Sequence, residues 1–213
     1  MIDAYISLAI SFGIAYSAAF LNGYSMDWLI FFISFFACFM AFFEDRSILF
    51  TVAKFLTATI LIFFFPIPGA FFLAAIAIPY LTNEPVFLAL KGLLIPLFAL
   101  SLRGGEILFT RETISFALTV FGAFLIKEKP NDAKVAYSGF VLSVLASATL
   151  KTFMFLFPAQ IIMLFALTQP NTQAPRVTSV IYLMVNSMGG LFLYLVPILR
   201  TYNDKLLRWL SGG

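Results

Sequence analysis

The chain has 213 residues, 62% of them hydrophobic and 11% charged, with a formal net charge of +3 and no histidine. A soluble domain carries about 25% charged residues to cover its outside, and the 13 Lys+Arg and 10 Asp+Glu present cannot do that for a chain with a mean hydropathy of +1.02. Composition excludes an ordinary water-soluble globule and makes lipid the expected solvent for most of the surface.

The absence of histidine excludes Ser-His-Asp and Cys-His catalysis, His-ligated haem and His-bearing zinc or di-iron sites. The single cysteine, Cys38, has no internal disulfide partner and reads as a small apolar filler in a helix. The sequence pI of about 9.0 would suggest nucleic acid in a soluble protein. Here the basic residues flank apolar runs, so they are read as topology signals and no nucleic acid is expected as a partner.

A helix needs about 20 residues to cross a hydrocarbon core of about 30 Å. By that ruler the apolar runs fall at 4–22, 27–43, 47–65, 69–82, 86–102, 106–126, 135–157 and 177–199. The first run follows Asp3 rather than a basic segment, and no small-residue cleavage site follows it, so a retained first span is expected. Polar punctuation separates most runs: Asn22 to Ser25, Glu44-Asp45-Arg46, Thr82 to Pro85, Arg103 to Glu106, Lys127 to Lys134 and Thr168 to Arg176.

Two stretches are ambiguous. Ile48 to Leu81 is interrupted only by Pro66-Ile67-Pro68-Gly69, which suits a helical hairpin with one short arm or a span followed by a re-entrant segment. Val135 to Leu167 contains Lys151 and Pro158, which suits one long kinked helix or a span plus a re-entrant half-helix. The expected fold is all-α: a polytopic integral membrane helical bundle of about eight transmembrane helices, with seven or nine as alternatives and some short or re-entrant. It forms a single transmembrane domain over 1–213, with no soluble domain.

Orientation follows from the basic residues. With both termini cytoplasmic, Arg46, Lys54, Lys91, Lys127, Lys129, Lys134, Arg200, Lys205 and Arg208 lie inside and only Arg103, Arg111 and Arg176 outside, with Lys151 near mid-depth. Trp209 and the basic residues of the tail read as an inner interfacial anchor. This topology puts positions 67, 104 and 172 on the outer side of a cytoplasmic (inner) membrane.

Charge within an apolar run is costly and is the first place to look for function. Lys151 is the leading candidate contact for an anionic substrate, a lipid phosphate or a carboxylate, and the alternative is a break in the run there with the lysine reaching an interface. Lys54 and Lys91 sit close enough to their run ends to reach headgroups. Arg111 and Glu112 are either semi-buried or interfacial residues of a span beginning at Thr113. Gln160, after Pro158, and Asn186, before Gly189-Gly190, could belong to a broken-helix binding element or serve as packing glue. Glu44, Asp45 and Arg46 form an interfacial acidic and basic cluster. The tetrapeptide Ile48 to Thr51 recurs at Ile107 to Thr110, a match that so biased a composition also produces by chance.

The stretch Pro85-Val86-Phe87-Leu88-Ala89-Leu90-Lys91-Gly92 resembles the PVFLxFKGGKG segment of bacterial glycerol-phosphate acyltransferases, small multi-span membrane enzymes. This chain departs from that pattern at Leu93-Leu94-Ile95, where the family has phosphate-cradling glycines, and it has no histidine to precede the segment. The likeness assigns no activity. The expected function is non-enzymatic: a small transporter, a channel-like protein or a membrane-embedded subunit of a larger complex, with the lipid bilayer and either membrane-protein partners or further copies of the chain around it. No metal or cofactor is implied. One alternative is an enzyme on a lipid or lipid-linked substrate at the cytoplasmic interface, using Glu44, Asp45 and Arg46. The other is an immunity, exclusion or defence-associated membrane protein.

Overall fold

The computed structural model describes residues 2–21, 25–43, 47–129, 131–150 and 152–167. The fold is all-α. Its helices are α1 (Ile2–Ala19), α2 (Trp28–Phe42), α3 (Ile48–Phe64), α4 (Pro66–Leu81), α5 (Pro85–Ala89), α6 (Lys91–Ser101), α7 (Arg111–Glu128), α8 (Ala133–Ser147) and α9 (Phe153–Leu167). A 3-10 turn covers Gly105–Phe109, and Phe20–Leu21 pairs antiparallel with Ser25–Met26 between α1 and α2.

The helix starts are set by short polar side chains that satisfy otherwise orphaned N–H groups. The Asp27 carboxylate accepts from the N–H groups of Leu29 and Ile30, Ser47 from Phe50, Thr110 from Thr113, and Asp132 from Lys134 and Val135. α4 and α5 instead begin on Pro66 and Pro85, whose missing N–H is no loss at a first helical position.

Cross-helix contacts fix the direction of each helix. Ser7 of α1 donates to the Phe42 carbonyl at the end of α2. Thr51 near the start of α3 bonds Tyr80 near the end of α4 at 3.2 Å. Gly92 at the start of α6 lies against Phe124 near the end of α7, and Ser143 of α8 donates to the Thr119 carbonyl of α7 at 2.9 Å. Phe155 of α9 meets Phe116 of α7 at 5.4 Å, while Tyr16 of α1 meets Phe157 at 6.4 Å and Gly13 lies against Pro158 and Ile162. The result is an up-and-down bundle in which α9 runs with α7 and against α1 and α8. Its core holds the rings of Phe42, Phe72, Phe98, Phe116 and Phe124 with Ile10, Ile14 and Ile162.

The helices approach closely where side chains are small. A Cβ on Gly122 would lie 2.5 Å from the Gly139 carbonyl oxygen, and one on Gly139 would lie 2.5 Å from that of Gly122. The outside of the bundle is apolar. On α3 the exposed residues include Ile48, Leu49, Val52, Phe55, Leu56, Ile60, Ile62, Phe63 and Phe64, with Ile48 at 83% and Phe63 at 81%, and one polar residue, Thr59, whereas the face turned inward carries Lys54, Ala58 and Leu61. Among the described residues no helix is long and apolar enough to cross a membrane. α1 and α7 have 18 residues, α3 has 17, α4 has 16, and α2, α8 and α9 have 15 each.

Several sequence expectations change. Val135 to Leu167 is not one kinked helix. It breaks after Ser147 and restarts at Phe153, because the Thr149 hydroxyl turns back to the Ala146 carbonyl and Thr152 offers its own carbonyl to the N–H groups of Phe155 and Leu156. A hydropathy window cannot see such local hydroxyl bonds. Ile48 to Leu81 is a hairpin of nearly equal arms rather than one with a short arm. The repeated tetrapeptide forms the first turn of α3 at one occurrence and lies in and beside the 3-10 turn at the other, so it marks no structural repeat. The segment 177–199, the terminal anchor and position 172 lie outside the described residues.

Candidate functional site

The up-and-down packing sorts the described basic residues by end. Lys54, Lys91, Lys127, Lys129 and Lys134 lie at one end of the bundle, while Arg103 and Arg111 lie at the other.

At the lysine end, the two lysines expected to reach outward are instead buried. Lys54 is 8% exposed and Lys91 is 1% exposed. The Lys54 ammonium donates to the Phe43 carbonyl at 2.9 Å and lies 4.9 Å from the centre of the Phe50 ring. It thereby satisfies the cap of α2, whose last carbonyls have no partner within their own helix. Depth along a run does not say which way a side chain faces, and Lys54 shares the inward face of α3 with Ala58 and Leu61.

Lys91 opens α6 immediately after Leu90, which separates it from the single turn of α5. The next residue, Gly92, has no room for a side chain, since a Cβ there would lie 2.8 Å from Cδ2 of Phe124. Phe124 packs against Phe42 with ring centres 4.7 Å apart and the rings tilted, and the Lys127 ammonium stands 5.3 Å from its ring centre and 3.9 Å from the Glu128 carboxylate. The acyltransferase-like segment is therefore packed against an aromatic ring and does not form an open phosphate cradle. Pro96, one turn beyond Gly92, lies inside α6, where it removes a helix hydrogen bond.

A concavity of about 780 Å³ lies beside this cluster, lined by Glu128, Lys129, Asn131, Asp132, Ala133 and Lys134. Its Asp132 carboxylate is already engaged by the N–H groups opening α8 and by Lys129 at 3.8 Å.

At the arginine end, Arg111 and Glu112 form the first turn of α7, with Thr110 as cap. Arg111 is exposed and Glu112 half-buried, and the helix they open begins two residues before Thr113. The Thr152 hydroxyl donates to the Glu112 carboxylate in a very short hydrogen bond, tying the α8–α9 turn to α7. Next to it the Thr149 and Ser115 hydroxyls are hydrogen-bonded to each other at 2.5 Å. Arg103 sits in the turn after α6, where its Nε is buried without a hydrogen-bond partner and loss of hydration lowers the guanidinium pKa below its ordinary value.

Gln160 lies within α9, two residues after Pro158 and about 12 Å along the helix from Thr152 at 1.5 Å per residue. It is not gathered with Arg111 and Glu112. Lys151, Asn186, Glu44, Asp45 and Arg46 lie outside the described residues. Among the described residues no group of three His, Cys, Asp or Glu side chains is placed to hold a metal ion. The sequence reading missed the burial of Lys91. The available signal was the Lys91-Gly92 pair with Pro96 behind it, a pattern for close backbone packing and an interrupted helix.

Comparison with family models, with curated proteins and with solved structures finds no match to this chain.

Proposed function

We propose that the chain is a multi-pass protein of a cytoplasmic (inner) membrane, non-enzymatic, acting as a small transporter or channel-like protein or as a membrane-embedded subunit. One observation carries the membrane reading. α3 turns its large apolar side chains outward and its lysine and alanine inward, the reverse of a helix packed in water. Exposed Trp28 near one end of the bundle and exposed Tyr80 and Tyr137 near the other suit interfacial belts. The concentration of lysines at one end supports placing that end on the cytoplasmic side, together with the N-terminus.

Lys91 supports the transport reading. A fully buried cation beside a helix interruption and a proline suits an element that holds and releases a small anion within a bundle.

The test begins with expression in a bacterial membrane, where the protein should resist alkaline washing. Single cysteines at 104 and 149 should then react with an impermeant maleimide from the outside, and one at 132 only from the inside. Recovery in the soluble fraction overturns the membrane reading. In proteoliposomes, anion flux lost in Lys91→Met supports the transporter arm. Absence of flux combined with stoichiometric co-purification of another membrane protein moves the conclusion to the subunit arm.

A further inference from the structure

The α3–α4 hairpin differs from the other connections in the chain. Asn22 to Ser25, Glu44 to Arg46, Thr82 to Glu84, Arg103 to Glu106, Lys127 to Asp132 and Thr149 to Thr152 all supply polar side chains, but from Ile60 to Pro79 there is none. The hairpin also has no linker beyond Phe65. α3 ends at Phe64 and α4 begins at Pro66, and the arms touch backbone to backbone: a Cβ on Gly69 would lie 2.4 Å from the Ile62 nitrogen. The tip is nevertheless uncovered, with Phe63, Phe64 and Ile67 exposed.

From these observations, and resting on the membrane reading above, we infer that the α3–α4 hairpin is an intramembrane element. It enters from and returns to the lysine end, and its tip at Phe63 to Ile67 stays among lipid acyl chains.

Two physical arguments support this. A tip that emerged would place several large apolar side chains in water with no polar group to anchor them at the interface. Backbone N–H groups left in hydrocarbon are expensive, and this tip minimises them. Pro66 and Pro68 have no N–H, the Phe65 N–H goes to the Leu61 carbonyl at 2.7 Å, and that of Gly69 goes to the Phe65 carbonyl at 2.8 Å. Carbonyls at the turn are tolerated more readily than orphaned donors.

The experiment uses single cysteines at 65 and 67 in the full chain with Cys38→Ala, alongside those at 104, 149 and 132. An impermeant maleimide should leave positions 65 and 67 unmodified from both sides of intact membranes and modify them fully after detergent solubilisation. A fluorophore attached at 67 should be quenched more by a nitroxide placed deep on the acyl chain than by one at the headgroup. Labelling of 67 from the outside at the rate of 104 overturns the inference while leaving the membrane reading intact. Loss of sidedness at 104, 149 and 132 removes the membrane reading and the inference with it.

Discussion

The Lys54 ammonium donates to the Phe43 carbonyl at 2.9 Å, so a side chain of α3 closes the last turn of α2. A lysine that would be a costly charge in an apolar run becomes the cap of the preceding helix, and the α2–α3 corner gains a fixed geometry.

Lys54→Met keeps most of the side-chain volume but leaves the Phe43 carbonyl unsatisfied. The loss should be about 1–3 kcal/mol, the cost of stranding a buried acceptor. Thermal unfolding in detergent followed by circular dichroism measures it, with Lys129→Met, at an exposed position, as the control near zero. Equal melting of the two variants would remove the capping role.

The Gly122–Gly139 contact predicts a steep size dependence at the α7–α8 crossing. Gly139→Ala places a Cβ 2.5 Å from a backbone oxygen and must push the helices apart, costing about 3 kcal/mol. Gly105→Ala enters open space, with no atom within 4 Å of the added carbon, and should leave the melting temperature unchanged. A Gly139→Ala protein that melts with wild type would mean that the helices do not meet as closely as described.

Glu112 and Thr152 hold the α8–α9 turn against the start of α7. Their partial exposure reduces what a charge-assisted hydrogen bond contributes, so Glu112→Gln and Thr152→Val should couple by about 1 kcal/mol in a double-mutant cycle. Additivity of the two changes would show that the turn is held by apolar packing alone.

How much of this the residues announced depends on the kind of information needed. The all-α class and the place of Cys38 inside a helix follow from composition and local chemistry, whereas the capped starts at Asp27, Ser47, Thr110 and Asp132 came only with the structure. The corner at Phe65-Pro66 was visible as a proline interruption, although the equality of its two arms was not. The break near Lys151 was visible only as one of several readings, because Ser147, Thr149 and Thr152 end and restart helices through hydrogen bonds that hydropathy does not register.

The sequence by itself determined that this chain is helical, apolar beyond what water tolerates, and charged chiefly at its run ends, because these properties are sums over residues or depend on neighbours within one turn. Only the tertiary structure decided which lysines face inward, that Gly92 backs onto Phe124, and that Glu112 meets Thr152. Those relations depend on rotation about each helix axis and on which helices become neighbours, and contacts between residues far apart in the chain set both.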